Sequence, residues 1–437
     1  MKTFASLLTF IVLIVVLSIN ARAQTCPGSP GCLDLTFGVG GTAATYIPTT
    51  TPLSPGKGAI QSDGKILAAV MVLPGSSNMT DVIIRYNPDG SLDTTFGNGG
   101  IVTMNWLGAN NTTGHAYSIA VQTVGTEERI VVAGTGTGYT SSLRVDRFHS
   151  DGSPDLSFGS GGTVTYTAGA AETMAIQPDG KILTMGTRGA LVRLNLNGTL
   201  DTTFGNGGFI QNNTWRVQSI ALQSNGRIVA AGYWTNVKGV AFMSVWRFNT
   251  NGSLDDGSRN DSTRSDTFGT KGQTTITSFN TAWDVKIDAT GKIVVAGSAG
   301  ASGSTDFAVA RLTTAGQLDS TFGAGGKATV DFSGFSDQIR GVDLRSNGQI
   351  VAVGFTYSGS PSSATRDAAF ARFNSNGTLD STFGQGGKVV TDFSSEGEFT
   401  SDGMIQFDTS CNCEKVIAIG TAIAGGIYYA VAARSLL

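Results

Sequence analysis

One arginine and one aspartate recur together seven times along the chain. In six copies the aspartate follows the arginine by eight residues, and in the seventh Arg434 is matched by Asp34. The pairs are Arg85 and Asp93, Arg147 and Asp155, Arg193 and Asp201, Arg247 and Asp255, Arg311 and Asp319, Arg372 and Asp380, and Arg434 and Asp34. Eight residues that span a tight turn between two strands bring such side chains together as cross-strand neighbours. We interpret them as structural ion pairs; a sevenfold arginine ring that binds an anion is the alternative.

Other residues that could form a catalytic or metal site are few. His115 and His149 are the two histidines of the 437 residues, and neither has the sequence context of a catalytic triad. Asp89 and Asp93 resemble the middle of a calcium-binding loop, but Phe96 stands where such a loop has a bidentate glutamate. We therefore interpret Asp89 as a turn residue and expect no catalytic residue, no metal and no cofactor.

The charge balance argues against one class of partner. The chain has 29 Lys and Arg against 32 Asp and Glu, a net charge of −3, without a block of basic residues. A nucleic-acid-binding surface needs such a basic patch. We expect no nucleic-acid partner.

The first 23 residues have the pattern of a secretory signal peptide. Lys2 gives a positive start, Phe4 to Ile19 form an apolar stretch, and Ala21 and Ala23 supply the small residues of a cleavage site. We predict cleavage before Gln24; an uncleaved anchor is the alternative. The mature chain is then exported, either secreted or held in the cell envelope, without a membrane span of its own.

Two short sequence motifs, here called phrases, define an internal repeat. Leu92–Gly97 (LDTTFG) is one copy of the first, and Gln177–Leu183 (QPDGKIL) is one copy of the second. The phenylalanine of the first phrase recurs at Phe37, Phe96, Phe158, Phe204, Phe268, Phe322 and Phe383, a mean spacing of about 58 residues. Seven copies of one unit account for almost all of residues 33–437.

Each repeat has the pattern of four short strands. Asp-Gly and Asn-Gly pairs between apolar runs are typical of hairpin turns, because these turns need positive φ. Strands that are apolar on both sides suit sheets buried on both faces. Four-stranded units repeated around an axis describe a β-propeller. We predict an all-β fold in which 24–437 form one seven-bladed β-propeller of four-stranded antiparallel blades.

The ends of the repeat region predict how the ring closes. Leu33–Gly41 has the sequence pattern of the fourth strand of a repeat, but the first three strands of that repeat do not precede it. Tyr429–Arg434 has the pattern of a third strand, and no fourth strand follows it. We predict that the N-terminal strand completes the last blade, which removes the free edges of an open stack.

The repeat resembles a known family. Ile176–Ile182 (IQPDGKI) and Ala371–Gly384 (ARFNSNGTLDSTFG), with the period of about 58 residues, are similar to the delta-60 repeat family. The resemblance implies an exported bacterial protein with β-propeller-like repeats and unassigned function. It implies no catalytic or ligand-binding residues.

The four cysteines fall in two pairs. Cys26 and Cys32 precede the first repeat phrase, and Cys411 and Cys413 lie in a turn of the last repeat, so both pairs belong to the closing blade. In an exported protein this pattern predicts disulfides. We expect at least one bond between the two pairs; a four-cysteine metal site is the alternative.

Loop lengths predict where a ligand binds. Two kinds of connection are long and differ in every repeat: those from the second to the third strand, and those from one blade to the next. Both kinds lie at the same end of the blades. We call this end the variable face, since varied loops on a rigid scaffold often carry binding. Aromatic residues on or beside these loops are the candidate ligand-binding residues: Trp106, Tyr139, Trp215, Tyr233, Trp234, Trp283 and Tyr357.

These features predict an exported, monomeric, non-enzymatic binding or surface-interaction module whose ligand is a glycan or a protein. The alternative is an extracellular carbohydrate-active enzyme, a hydrolase or lyase, and its candidate residues are Asp284, Asp337, Arg340 and Asp402. A purely structural component of the envelope is a third class. Two carboxylates about 5–10 Å apart on the variable face would favour the hydrolase.

Overall fold

The computed structural model has seven separate sheets of four antiparallel strands, so the predicted seven-bladed β-propeller is confirmed. It describes residues 29–49, 52–72, 81–104, 106, 114–136, 142–186, 190–212, 214–263, 266–301, 303–332, 336–358, 365–393 and 398–437. No helix occurs in these ranges.

The strands follow the chain blade by blade. The first, β1 (Thr42–Tyr46), belongs to the last blade. Blades 1 to 3 contain β2 (Leu53–Ile60), β3 (Ile66–Val72), β4 (Val82–Tyr86) and β5 (Ile101–Thr103); β6 (His115–Val124), β7 (Glu127–Thr135), β8 (Leu143–His149) and β9 (Thr163–Tyr166); and β10 (Thr173–Ile176), β11 (Ile182–Met185), β12 (Leu191–Leu194) and β13 (Phe209–Ile210). Blades 4 to 6 contain β14 (Arg216–Leu222), β15 (Ile228–Thr235), β16 (Ala241–Phe248) and β17 (Gln273–Ile276); β18 (Thr281–Ile287), β19 (Ile293–Ala301), β20 (Ser304–Leu312) and β21 (Lys327–Val330); and β22 (Asp337–Leu344), β23 (Ile350–Ser358), β24 (Thr365–Phe373) and β25 (Lys388–Thr391). Blade 7 contains β26 (Glu398–Asp408), β27 (Cys413–Ala424) and β28 (Ile427–Leu436), together with β1.

The first strand of each blade is the innermost one. Strands β2, β6, β10, β14, β18, β22 and β26 each contact the next in a ring, and β26 contacts β2 to complete it. The second and third strands are apolar on both sides, as in β3, where every residue is buried. Their side chains pack against those of neighbouring blades, so the hydrophobic core lies between blades rather than at one centre.

The ring of blades closes in the last blade, at the joint between the N-terminal strand and the last strand of the chain, as predicted. β1 pairs antiparallel with β28, from Thr42 opposite Ala433 to Tyr46 opposite Tyr429. The segment before β1 continues this contact, since the Gly31 amide donates to the Leu436 carbonyl at 2.8 Å. The closure by the N-terminal strand is therefore confirmed.

Each blade holds the repeated arginine between an aspartate and a phenylalanine. The arginine Nε lies 2.5–2.9 Å from the aspartate Oδ2, in all seven pairs named above. The guanidinium carbon lies 4.4–4.9 Å from the centre of the phenylalanine ring of the repeat. The phenylalanines are fully buried. The three repeated residues thus form one packed unit per blade, which fixes the turn between the third and fourth strands.

The same arginines also join neighbouring blades. Arg193 Nη1 donates to the Thr250 carbonyl of the next blade at 2.6 Å, and Arg434 donates to Pro88 at 2.6 Å. Arg372 is the exception, because its buried Nη1 has no hydrogen-bond partner in the described part of the chain. In the other blades, the carbonyl that accepts this hydrogen bond lies in the next blade's turn between its third and fourth strands. The blade next to Arg372 is the seventh, in which two separate segments, 29–31 and 435–437, replace that turn.

The fourth blade carries an insertion in this unit. In the other six blades a Thr or Ser two residues after the aspartate donates its hydroxyl and its amide to Oδ1. Gly257 takes that position after Asp255, whose buried Oδ1 has no partner among the described residues. Burial accordingly raises the pKa of Asp255.

Acid is expected to destabilise the propeller through the other aspartates. Burial opposes ionisation of Asp93, but hydrogen bonds from Thr95 and the charges of Arg85 and Lys65 outweigh it and lower its pKa to about 2. The pKa of Asp155 is also lowered to about 2. A group whose pKa is lower in the folded state stabilises the fold above its unfolded pKa of about 3.9, and this contribution is lost as the pH falls through the folded pKa.

We therefore expect the melting temperature to be nearly constant from pH 7 to about pH 5 and to fall steeply between about pH 4 and pH 2. Thermal unfolding followed by circular dichroism measures this. Asp93→Asn should lower the melting temperature at pH 7 and reduce its pH dependence, whereas Asp63→Asn in an exposed turn serves as the control. A melting temperature unchanged down to pH 2 would contradict the expected role of these carboxylates.

Candidate functional site

The central channel opens into a cavity of about 360 Å³ at the variable face. Every blade contributes to its wall. Blade 1 lines it with Ser54, Pro55, Gly56 and Met71 in addition to Lys57, and each other blade contributes one residue: Tyr117, Glu172, Gln218, Trp283, Arg340 and Ser401. Lys57 and these six residues have equivalent places in the seven blades. We call these seven residues the channel ring.

A β-bulge places most of these side chains toward the axis. In blade 4 the pairing of β14 with β15 shifts register between Val217 and Ser219, so Gln218 is the extra residue. The same shift occurs in the inner strands of blades 1, 2, 5, 6 and 7, at the other members of the channel ring except Glu172. Glu172 directly precedes β10. A bulge leaves the extra residue unpaired and redirects its side chain, which here is into the channel.

Glycines on the second strands make room for the bulges. A Cβ on Gly232 would overlap the carbonyl oxygen of Arg216, and a Cβ on Gly297 would overlap that of Thr281. The inner strand therefore approaches the second strand too closely for any side chain at these positions.

Next to the channel ring, Lys57 and Lys286 lie against the buried carboxylates of Asp284 and Asp402, a group of side chains that we call the floor. Lys57 Nζ lies 3.8 Å from Asp284 Oδ1 and 3.6 Å from Asp402 Oδ1. Both aspartates also link inner strands, since Asp284 accepts from the Val342 amide at 3.0 Å and Asp402 from the Gly58 amide at 2.9 Å. These contacts hold blades 5, 6, 7 and 1 together around the axis.

The electrostatics of the floor keep Asp284 ionised. Burial opposes its ionisation, but the charges of Lys286 and Lys57 and a hydrogen bond from Ser219 outweigh burial and lower the pKa of Asp284 to about 2. The charges of Asp284, Asp343 and Asp402 in turn outweigh burial at Lys286 and raise its pKa. Asp284 and Lys286 thus form an ionised pair, with 3.5 Å between Lys286 Nζ and Asp284 Oδ2.

A cation and an aromatic ring lie together on one side of the wall. The guanidinium carbon of Arg340 lies 3.8 Å from the centre of the Trp283 ring. Arg340 Nη2 donates to Gln338 Oε1 at 3.1 Å. Burial and the nearby charge of Arg366 lower the pKa of Arg340 to about 10, so it remains a cation at neutral pH.

Six segments of the chain match one family model, described as a domain of unknown function (DUF5122) β-propeller. The matched residues are 61–96, 129–158, 177–204, 223–257, 289–322 and 345–383. These segments are similar to the repeats of a β-propeller family of unknown function. The narrower resemblance to the delta-60 repeat family stays a prediction.

Solved structures are similar to this propeller in fold alone. A protein of unknown function from Dyadobacter fermentans is 11% identical, with a TM-score of 0.47, and covers 91% of this chain and 98% of its own. A protein of unknown function from Bacteroides caccae is 14% identical, with a TM-score of 0.37, over 72% and 97%. Chaetomium thermophilum Sqt1 is 12% identical, with a TM-score of 0.46, over 88% and 96%. No curated protein matches the propeller sequence. The described residues include no helix that is long and apolar enough to cross a membrane.

Of the aromatic residues predicted to bind a ligand, Trp283 lines the cavity at the channel ring. Trp106 and Trp215 are 2% and 8% exposed and pack in the core, and Trp215 also lines a separate cavity of about 780 Å³. Trp106 Nε1 donates to Asp146 Oδ2 at 2.6 Å, and Trp215 packs edge-on against Phe248. Both rings therefore pack between blades, and their part in ligand binding stays a prediction.

The remaining aromatic candidates lie near the variable face but outside the channel ring. Trp234 is 37% exposed and stacks on Phe242, and Tyr233 beside it is half-buried. The Tyr357 hydroxyl accepts from Arg366 Nε at 3.0 Å. Tyr139 falls outside the described residues.

Besides Trp283, sequence reasoning named Arg340 as a candidate of the enzyme alternative, and it missed the other five members of the channel ring. In six blades the lining residue stands five positions before a polar residue near the end of the inner strand, as Tyr117 does before Gln122 and Gln218 before Gln223. In blade 1 this position is Gly56, and Lys57 follows it. The sequence therefore holds a spacing, most often to a glutamine, that marks the lining position once the bulge is known.

The cysteines differ from the expected cross-link. Cys411 and Cys413 are bonded to each other, and Cys32 is also disulfide-bonded; Cys26 falls outside the described residues. Asn412 has a φ of 53°, and the two Cα atoms on either side of it lie 5.2 Å apart, within the range that a disulfide spans. The predicted bond between the two pairs is therefore wrong: the turn pairs its own cysteines.

Proposed function

We propose that the protein is an exported binding module that holds a short acidic glycan at the channel ring. The observation that carries the proposal is the variety of side chains at equivalent positions of the channel ring. The Arg–Asp–Phe unit recurs in every blade, with an insertion in the fourth, whereas the channel ring has two cations, one acid, one amide, one hydroxyl and two aromatic rings. Different side chains at equivalent positions suit recognition of an asymmetric ligand. Export rests on the signal peptide pattern of residues 1–23.

The chemistry of the ring supports an acidic sugar. A cavity of about 360 Å³ is in the size range of small-ligand sites, about 300–1,000 Å³. Trp283 and Tyr117 offer apolar ring surface for the face of a sugar. Arg340, placed over the Trp283 ring, is suited to bind a carboxylate through two parallel hydrogen bonds, and Lys57 adds a second cation.

Substitutions in the ring are expected to weaken binding without unfolding the protein. Arg340→Met keeps an unbranched apolar stem and removes the guanidinium group with its charge, and Trp283→Ala removes the ring; each should weaken affinity at least about tenfold, or about 1.4 kcal/mol. Trp234→Ala, on the same face but outside the ring, is the matched control. A glycan array with the mature protein, followed by calorimetric titration of the best glycan, measures the effect. Failure to bind any acidic glycan would overturn the proposal, as would a loss in Trp234→Ala that the ring variants do not show.

A glycan-cleaving enzyme is the second candidate, because two carboxylates converge in the channel. Asp284 and Asp402 both lie within 4 Å of Lys57 Nζ. Glycosidases need one carboxyl group with a raised pKa as the general acid, and the pKa of Asp284 is instead lowered to about 2. Recovery of the bound glycan intact supports binding, whereas cleavage that Asp402→Asn abolishes would support the enzyme.

A further inference from the structure

Three aspartates meet on the variable face where blade 5 adjoins blade 6. Asp306 lies in β20, Asp331 directly follows β21, and Asp337 begins β22. One carboxylate oxygen from each lies within 4.8 Å of the others. The strands of two blades therefore bring these side chains together across the blade boundary.

The three aspartates differ from the repeat aspartates in their ion pairs. Each repeat aspartate lies against its arginine, whereas no lysine or arginine of the described residues forms an ion pair with Asp306 or Asp337. Repulsion among like charges at this distance favours the binding of a cation between them.

A second observation points to a ligand at the same place. Asp337 is fully buried, and its Oδ2 accepts from the Phe332 amide at 2.8 Å. Its Oδ1 is buried as well and has no hydrogen-bond partner within the described ranges. An unsatisfied carboxylate oxygen in the interior is costly, and a bound cation would satisfy it.

We propose that Asp306, Asp331 and Asp337 form a calcium-binding site at the boundary of blades 5 and 6. Calcium takes six to eight oxygen ligands at about 2.3–2.6 Å, so two oxygens on one ion lie at most about 5 Å apart, a limit that the cluster meets. The donors are all carboxylate oxygens, which suit calcium rather than zinc. Two of the three aspartates lie on connections between strands or at a strand end, which leaves room for water ligands.

The site is independent of the glycan proposal, although the two are close in the fold. Asp337 stands three residues before Arg340 on the same inner strand, β22. A cation that joins β22 to β20 and to the end of β21 would fix the start of the strand that presents Arg340 to the channel.

Calcium binding by the purified mature protein, dialysed against a chelator, tests the proposal by calorimetric titration with CaCl2 alone. We expect one ion per chain with a dissociation constant of about 10⁻⁴–10⁻³ M, the range of extracellular calcium modules. Asp331→Asn and Asp337→Asn should each weaken binding at least tenfold. Asp179→Asn, an exposed turn aspartate away from the cluster, is the control and should leave binding unchanged.

Three results would overturn the assignment. They are the absence of calcium uptake, uptake that both cluster variants retain, and equal affinity for MgCl2. If Asp337→Asn does not fold, Asp331→Asn, whose side chain is exposed, still decides the question.

Discussion

Removal of residues 24–51 is expected to unfold the propeller at room temperature. The deletion takes away β1, leaves β28 as an open edge and removes Phe37, which is fully buried. It also removes Asp34, the partner of Arg434 and Lys415. Loss of a buried phenylalanine costs about 3–5 kcal/mol, and leaving Arg434 and Lys415 buried without their carboxylate costs about as much, so the joint loss is comparable to the net stability of a domain, about 5–15 kcal/mol.

A circular permutant separates this explanation from a general intolerance of shortening. The permutant begins at residue 52, continues to Leu437 and then, through a short Gly-Ser linker, carries residues 29–49. The linker is feasible because the Gly31 amide already bonds the Leu436 carbonyl.

Circular dichroism and thermal unfolding of the mature chain, the truncated chain and the permutant measure the result. We expect the truncated chain to lack a cooperative transition and the permutant to regain one near that of the mature chain. A truncated chain with an unchanged melting temperature would contradict the structural role of the N-terminal segment.

Asp34→Ala is expected to lower the free energy of unfolding by about 3–5 kcal/mol, the usual effect of leaving buried charges without a partner. Asp34 Oδ2 lies 2.6 Å from Lys415 Nζ and 2.7 Å from Arg434, and all three side chains are at most 7% exposed. Hydrogen bonds from Lys415 and Thr36 and the charge of Arg434 outweigh burial and lower the pKa of Asp34.

Chemical denaturation at pH 7 measures the loss, with Asp63→Ala in an exposed turn as the control. The double variant Asp34→Ala/Lys415→Met should lose less than the sum of its single variants, because one of the two unpaired cations is gone. An effect of Asp34→Ala no larger than that of Asp63→Ala would mean that the ion pair across the joint does not stabilise the ring.

The fold could be predicted because its determinants are local and repeated. A turn such as that at Gly90, where φ is 84°, can be recognised as a hairpin from a few residues. A single such pattern is ambiguous evidence for a hairpin, but seven copies at a regular spacing are not. The eight-residue spacing of Arg85 and Asp93 brings their side chains to 2.8 Å for the same reason.

The candidate site could not be predicted in the same way. A β-bulge interrupts the alternation of inward and outward residues, so a strand such as Arg216–Leu222 does not reveal that Gln218 lines the channel. The aromatic residues chosen by loop position included Trp106 and Trp215, since proximity to a loop does not distinguish an exposed ring from one packed between blades. The bond between Cys411 and Cys413 encloses Asn412 at a φ of 53°, a local conformation that cysteine spacing alone does not reveal.

The antiparallel joint between β1 and β28 determines how the molecule bears a pulling force. The segment that leads into β1 and the end of β28 leave the joint side by side, at Gly31 and Leu436. A force that draws these two ends apart would load the backbone hydrogen bonds one after another, from Leu436 toward Tyr429, because they lie perpendicular to the strands. Because the hydrogen bonds break one at a time, the joint opens under a small force. The propeller is therefore poorly suited to bear tension between the two ends of the chain, whereas attachment through one end alone does not load the joint.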